Sequence, residues 1–163
     1  MKATLLLLFT LISFCVAAQN QPSTATTIPM YGESITLEKA KKVVAAAEAF
    51  AVGKQWPITV AIVDTGGNLI MLQTMDNTQR ASIEIAIGKA KTANNFKRPT
   101  KMLEDAIAGG GAGLRVLAVP GMFPIEGGEP IYANGKIIVA IGVSGMSSAQ
   151  HGEVVKATLA AVK

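Results

Sequence analysis

Residues 58–75 read ITVAIVDTGGNLIMLQTM, and this stretch carries the clearest fold signal in the chain. Two runs rich in apolar and β-branched residues, Ile58–Val63 and Leu69–Met75, flank a polar segment, residues 64–68. Glycine and asparagine in that segment suit the positive φ angles of a tight connection, so the stretch predicts an antiparallel pair of strands. The connecting loop has two interpretations. It is a hairpin turn whose polar side chains bond their own backbone, or its exposed amides hold an anion or metal.

Helical spacing appears on both sides of this pair. Apolar residues recur every three or four positions from Thr36, a suitable N-cap, to Gly53, a suitable stop. The same period predicts a second helix over Thr78–Phe96, which must end before Pro99 because the residue preceding proline avoids helical angles. A short third helix is predicted over Thr100–Ala108.

The second half of the chain predicts three more strands. Leu114–Val119 is apolar and rich in branched residues, and Pro130–Ala133 and Lys136–Val143 flank the Asn134-Gly135 dipeptide, a strong turn signal. Hairpins with helices set between them favour an α+β layer fold with an antiparallel sheet.

A last helix is predicted to begin at Ser147. Gln150 stands three residues later, which is the spacing of a capping box, and apolar residues continue the helical period to the end of the chain.

The chain has the start of an exported protein. Lys2 precedes a short apolar run that ends in the small residues Val16, Ala17 and Ala18, as in a secretory signal peptide. We therefore expect residues 1–18 to be a signal, residues 19–30 a flexible leader and residues 31–163 a single domain in the periplasm or outside the cell. Cys15 is the only cysteine, so the mature domain is expected to lack thiols and disulfides.

Composition excludes several functions. The chain has 163 residues, of which 50% are hydrophobic and 5% aromatic, and its formal net charge is +4. That is too little basic and aromatic surface for nucleic-acid binding, and beyond the signal no segment is long and apolar enough to span a membrane. The mild positive charge suits a small anionic ligand at most. An apolar excess in a small thiol-free domain favours homo-oligomerisation. His151, the only histidine, is expected at the surface near a helix start, which excludes a histidine-rich zinc site and a serine triad.

Two segments are candidates for ligand binding. Lys89–Lys101 is basic and ends in a turn that includes Phe96, Arg98 and Thr100, where a guanidinium beside a helix start suits a carboxylate or phosphate. Residues 120–130 form a Gly/Pro-rich loop around Glu126, where backbone could approach a ligand closely. Each segment also has a plain structural explanation. A charge run like the first is usually a solvated face, and the second is an ordinary Gly/Pro loop.

Several short motifs, taken together and in order, resemble the GlcG/HbpS family of haem-binding-protein-like domains. The resemblance covers the chain from Tyr31 to about Val162 and rests on ITLEKA at 35–40, VAIVDTGGNL at 60–69, KAKTA at 89–93, FKRPT at 96–100, EGGEPI at 126–131 and AIGVSG at 140–145. It implies a profilin-like fold of three α/β/α layers with a five-stranded antiparallel sheet, and assembly into dimers or larger oligomers. For some members, it implies haem iron held through a histidine early in the domain. This chain has none before His151, so its metal ligand stays unknown.

The leading functional hypothesis is an exported binding protein for haem or a related tetrapyrrole. The alternative is an enzyme, a lyase or isomerase acting on a small carboxylated metabolite. In that case Lys89 and Glu126 would be the acid/base groups, and Arg98 would hold the substrate carboxylate.

Both hypotheses share one predicted site, where the turn at residues 96–100 meets the loop at residues 126–128. Phe96 would offer an apolar face and Arg98 a positive charge, while Thr100 would provide a hydroxyl. Gly127 and Gly128 would leave room for close backbone contact.

Overall fold

The computed structural model describes residues 28–162. The predicted signal, residues 1–18, lies outside the described residues, as does most of the predicted leader. The elements in chain order are β1 (Met30–Tyr31), α1 (Leu37–Lys54), β2 (Thr59–Val63), β3 (Leu69–Thr74), α2 (Ser82–Phe96), α3 (Thr100–Ala108), a 3-10 helix (Gly111–Ala118), β4 (Gly128–Ala133), β5 (Lys136–Ser144) and α4 (Ser148–Ala161).

The hairpin predicted from residues 58–75 is confirmed. β2 and β3 pair antiparallel, and the segment between them is a turn in which the Asn68 amide donates to Asp64 Oδ1 over 2.7 Å. This backbone bond is the main reason that the pKa of the Asp64 carboxyl lies below its usual value. These polar groups of the loop are therefore hydrogen-bonded to one another, as the turn interpretation expects.

The sheet is mixed, which corrects the prediction of a wholly antiparallel one. β5 lies between β2 and β4 and pairs antiparallel with both, but β1 pairs parallel with it at Lys136 and Ile137. A strand of two residues is too short to show any alternation, so no pattern in the sequence could reveal β1.

The prediction of a strand at Leu114–Val119 is wrong, because Gly111–Ala118 is a 3-10 helix. Gly110 and Gly111 enter it with φ angles of 69° and 55°, and Gly113 packs against the backbone carbonyl of Ala106 in α3. The segment thus turns onto a helix instead of reaching a sheet edge. Its apolar side chains are left largely exposed, with Leu117 at 63%.

The sheet is covered by helices on both faces, so the fold has three layers. Side chains alternate along β2: Val60 and Ile62 join a core with α1 and α4, whereas Ala61 and Val63 join a core with α2. The α2 face is made of small residues, and Gly142 of β5 lies directly beneath the helix backbone. α2 therefore packs very close to the sheet.

The predicted helix ends agree with the structure at most positions. Thr36 caps α1, and Ser147 and Gln150 form the predicted capping box of α4. α2 begins at Ser82 instead of Thr78, whose hydroxyl donates to backbone carbonyls before the helix starts. None of the helices between residues 28 and 162 combines the length and apolar character that crossing a bilayer requires.

Candidate functional site

A cleft of about 370 Å³ lies between the start of α3, the loop that leads into β4, and α4. We call it the α3–α4 cleft. Its lining combines apolar side chains, charged side chains and bare backbone. The lining residues are Pro99, Lys101, Met102, Glu126, Gly127, Gly128, Glu129, Gly152, Val155, Lys156 and Leu159.

Thr100 joins the two segments that the sequence predicted to meet. Its buried hydroxyl donates to the Ile125 carbonyl over 2.7 Å and accepts from the Gly128 amide over 2.8 Å. The turn after α2 and the glycine loop therefore meet as predicted, and the Thr100 hydroxyl is used in holding them together.

Lys89 lies behind the Glu126–Gly127 backbone and is fully buried. Its Nζ lies 2.8 Å from the Glu126 carbonyl oxygen, 3.1 Å from the Val143 carbonyl oxygen and 2.9 Å from His151 Nδ1. Gly127, at a φ of 118°, permits this arrangement, because a Cβ there would be 2.5 Å from His151 Cβ. Lys89 thus supports the wall of the cleft from inside.

The prediction that His151 lies at the surface is wrong, since the residue is only 4% exposed. The capping box at Ser147 sets the start of α4, which turns position 151 inward on the same helical face as Val154, Val155 and Thr158. This three- and four-residue spacing is the sequence signal that could have indicated the burial of His151.

The cleft contains two carboxyl groups with raised pKa values. Burial, and then the nearby Glu126 carboxylate, raise the pKa of Glu129 to about 7. Burial also raises the pKa of Glu126, although Lys101 opposes that effect. The Glu126 carboxylate packs against Gly152, where a side chain would displace it, and the Glu126 amide donates to Glu104 Oε2 over 2.6 Å. A pKa near neutrality makes Glu129 suited to exchanging a proton.

Of the remaining predicted residues, Phe96 is the last residue of α2 and Arg98 lies on the turn that follows, and neither lines the cleft. Phe96 is half-buried, and Arg98 is exposed with its Nε donating to the Phe96 carbonyl over 3.0 Å. Pro99 is the link between them and the cleft, because it is both next to Arg98 and part of the lining.

A family model described as "Haem degrading protein HbpS-like" matches residues 35–160. The chain belongs to this HbpS-like family. The resemblance to the GlcG/HbpS family inferred from the motifs is therefore confirmed.

Curated relatives of this HbpS-like chain include two similar bacterial proteins. A protein of Citrobacter freundii, described as an uncharacterised 15.0 kDa protein in the dhaT-dhaS intergenic region, is 38% identical over 69% of this chain and 80% of its own length. Protein GlcG of Escherichia coli K12 is 33% identical over 68% of this chain and 81% of its own length.

Solved structures of other members have the same architecture. A double mutant of Streptomyces reticuli HbpS superposes with a TM-score of 0.74 at 29% identity, covering 82% of this chain and 90% of that chain. A complex of PduOC with haem superposes with a TM-score of 0.72 at 28% identity, covering 78% of this chain and 94% of that chain.

Two roles within this HbpS-like domain could not be inferred from sequence. Lys97, part of the basic candidate segment, donates to the Pro29 carbonyl over 2.9 Å, and its Nζ lies 4.4 Å from the centre of the Tyr31 ring. Glu129 belongs to the cleft, but in sequence it is only one more residue of a Gly/Pro-rich loop. Within residues 28–162, no three histidine, cysteine or acidic side chains are grouped in a way that could bind a metal.

Proposed function

We propose that this protein binds haem or a related tetrapyrrole in the α3–α4 cleft, and that it does so after export from the cytoplasm. The observation that carries the proposal is the similarity to PduOC, which has been crystallised in complex with haem. The signal-like residues 1–18 support the exported location.

The lining of the cleft fits the chemistry of a tetrapyrrole. Met102, Val155 and Leu159 offer apolar contact, and Lys101 and Lys156 offer positive charge for propionate groups. Arg98, next to Pro99, adds a charge beside the cleft for a ligand that extends out of it. When bound, haem would supply an iron centre, for which the Met102 thioether is the soft ligand atom in this lining.

Histidine ligation does not fit the fold. Both ring nitrogens of His151 are engaged, Nδ1 with Lys89 and Nε2 with the Met146 amide, and the ring is buried. Iron held by this chain would therefore have a ligand other than imidazole among residues 28–162.

Self-association would complete the site. Exposed apolar side chains lie along α3, the 3-10 helix and the following loop, at Met102, Leu114, Leu117, Val119 and Ile125. A second copy covering this surface would remove it from water and enclose the cleft, where Met102 also lies.

Titration of the purified protein with haemin, followed by the Soret band, tests the proposal. Met102→Asp places a carboxylate in the cleft, and Leu37→Asp is its matched control because both residues are about half-exposed near the start of a helix. We expect saturable binding that Met102→Asp weakens at least tenfold and Leu37→Asp leaves unchanged. Met102→Leu, which keeps the apolar volume, should shift the Soret maximum by removing the sulfur. Failure to saturate at micromolar haemin would reject the proposal.

The raised pKa values of the cleft carboxyls favour a second function, an enzyme of lyase or isomerase type acting on a small carboxylated metabolite. Glu129, whose pKa is about 7, and Glu126 would move protons, while Lys101 and Lys156 would bind the substrate carboxylate. The Lys89 amine, which the sequence suggests for this chemistry, lies behind the backbone of the cleft wall.

Exchange of substrate hydrogens with deuterated solvent distinguishes the enzyme hypothesis from the binding hypothesis. If the enzyme hypothesis holds, incubation with the protein in deuterated water would exchange the C2 hydrogen of lactate or the methyl hydrogens of pyruvate faster than incubation without it. Glu129→Gln would then abolish exchange while haemin binding persisted. Absence of exchange with either probe, together with saturable haemin binding, favours the binding protein.

A further inference from the structure

The hydrogen bonds around Lys89 determine where protons can lie. Two of the three polar neighbours of its Nζ are carbonyl oxygens, those of Glu126 and Val143, and a carbonyl can only accept. The amine must therefore donate to both. The third neighbour, His151 Nδ1 at 2.9 Å, could be either the donor or the acceptor.

The other ring nitrogen of His151 decides between these alternatives. The Met146 backbone N–H donates to Nε2 over 2.9 Å, so Nε2 carries a lone pair. A neutral imidazole has one proton, which must then lie on Nδ1. An Nδ1–H group needs an acceptor, and Lys89 Nζ offers one only when it is an uncharged amine, because an ammonium group has no lone pair.

We infer that Lys89 and His151 form a positioning pair with two states: His151 Nδ1–H donates to the Lys89 amine when that amine is uncharged, and protonation of Lys89 forces His151 into its other tautomer. An ammonium group at this place donates to Nδ1, so the ring proton moves to Nε2. There it faces the Met146 N–H and breaks that hydrogen bond. The ionisation of Lys89 is thereby linked to the backbone at the start of α4.

The pair is next to the cleft, so its state should affect the cleft wall. Lys89 holds the Glu126 carbonyl, and α4 contributes Gly152 and Val155 to the lining one residue and four residues after His151. A shift of the α4 start after Met146 loses its partner would move that side of the cleft. This inference concerns the free protein and does not depend on what the cleft binds.

Burial and nearby charges act on the pair in opposite directions. Burial lowers the pKa of Lys89 to about 8, while Glu104 on α3 and Glu126 on the loop raise it. Burial, and then the charge of Lys89, lower the pKa of His151 to about 4, although the Glu126 backbone carbonyl raises it. β5 contributes the uncharged Val143 carbonyl. The imidazole therefore stays neutral across the pH range in which Lys89 titrates.

Because the pKa values of Lys89 and His151 are far apart, the pair has a distinctive signature in nuclear magnetic resonance. His151 is the only histidine, so nitrogen-15 labelling of histidine reports a single ring. We expect the ring proton on Nδ1 well above the pKa of Lys89 and on Nε2 well below it, with the ring neutral on both sides. The Met146 amide should exchange faster with solvent in the second state.

Lys89→Met removes the amine and should abolish the tautomer change, whereas Lys91→Met, an exposed lysine on the same helix, should preserve it. If Lys89→Met fails to fold, the wild-type spectra still decide the question. Nε2 protonation at high pH, or one tautomer throughout, would overturn the inference. Haemin binding enters neither readout, so the result is independent of the proposed function.

Discussion

The Gly128 amide donates to the Thr100 hydroxyl over 2.8 Å, which joins the first residue of β4 to the first residue of α3. The same hydroxyl donates to the Ile125 carbonyl, and Thr100 is fully buried. One side chain thus satisfies the backbone on both sides of the glycine loop. The loop can form the wall of a cleft because this bond, together with the Lys89 bond to the Glu126 carbonyl, fixes it to two helices.

Thr100→Val should destabilise the protein by about 1–3 kcal/mol, because it keeps the shape of the side chain but leaves the buried Gly128 amide without an acceptor. Thr65→Val is the control. The Thr65 hydroxyl bonds the half-buried Ser34 hydroxyl, which water can reach, so its loss should cost less than about 1 kcal/mol. Urea denaturation measures both. Equal losses would mean that the Thr100 hydroxyl does not support the loop.

Gly127→Ala should be far more destabilising than Gly135→Ala. Both glycines have positive φ angles, 118° and 72°, so both substitutions carry backbone strain of about 1–3 kcal/mol. At position 135 an added Cβ meets open space, whereas at 127 it lies 2.5 Å from His151 Cβ and 2.8 Å from the Val143 carbonyl oxygen. We expect this crowding to add about 1–3 kcal/mol, measured by thermal and urea unfolding. Similar losses for the two variants would contradict the described packing around His151.

Local signals predicted most of the fold correctly. The Thr36 cap, the Ser147 capping box and the Asn134-Gly135 turn each depend on residues close in sequence, and all three are present. β1 and the 3-10 helix were not predicted, because what decides them is distant: β1 exists through its pairing with β5, and Gly111–Ala118 has no strand beside it.

Only part of the candidate site could be predicted, because some of its contacts join residues that are distant in the sequence. The meeting of Thr100 with Gly128 could be expected from the motifs. The partnership of Lys89 with His151 joins residues 62 positions apart, and nothing local to either residue indicates it. Burial of a lysine is unfavourable unless its donors are satisfied, and its partners here are two backbone carbonyls and a ring nitrogen that only the folded chain brings together.

Arg98→Ala tests the predicted charge for the ligand carboxylate. Loss of a charge-assisted hydrogen bond of about 1.5–3 kcal/mol should weaken haemin binding roughly 10- to 150-fold. Lys41→Ala removes a charge from an exposed position on α1 and should have no effect. Equal affinities for these two variants, with a loss in Lys101→Ala, would assign the carboxylate to Lys101 in the cleft lining. Absorbance titration of the three folded variants measures the difference.

His151 and Glu129 make the stability of the protein depend on pH in opposite ways. The pKa of His151 falls from 6.5 to about 4 on folding, so between these values the unfolded chain binds the proton and stability rises with pH. The pKa of Glu129 rises from 4.5 to about 7, so between these values the folded chain binds the proton and stability falls as pH rises. The two effects overlap and offset each other.

Glu129→Gln should therefore uncover the effect of His151. Glutamine stays uncharged, so the variant lacks the loss of stability that wild type undergoes as the Glu129 carboxyl ionises. Its free energy of unfolding should rise with pH between about 4.5 and 6.5, while that of wild type changes little. The difference between the two proteins should grow to the order of 2 kcal/mol as the pH passes the pKa of Glu129. Glu153→Gln, exposed on α4, is the control and should follow wild type. Urea denaturation at a series of pH values measures these curves, and parallel curves for Glu129→Gln and wild type would mean that the Glu129 carboxyl has no raised pKa in the folded protein.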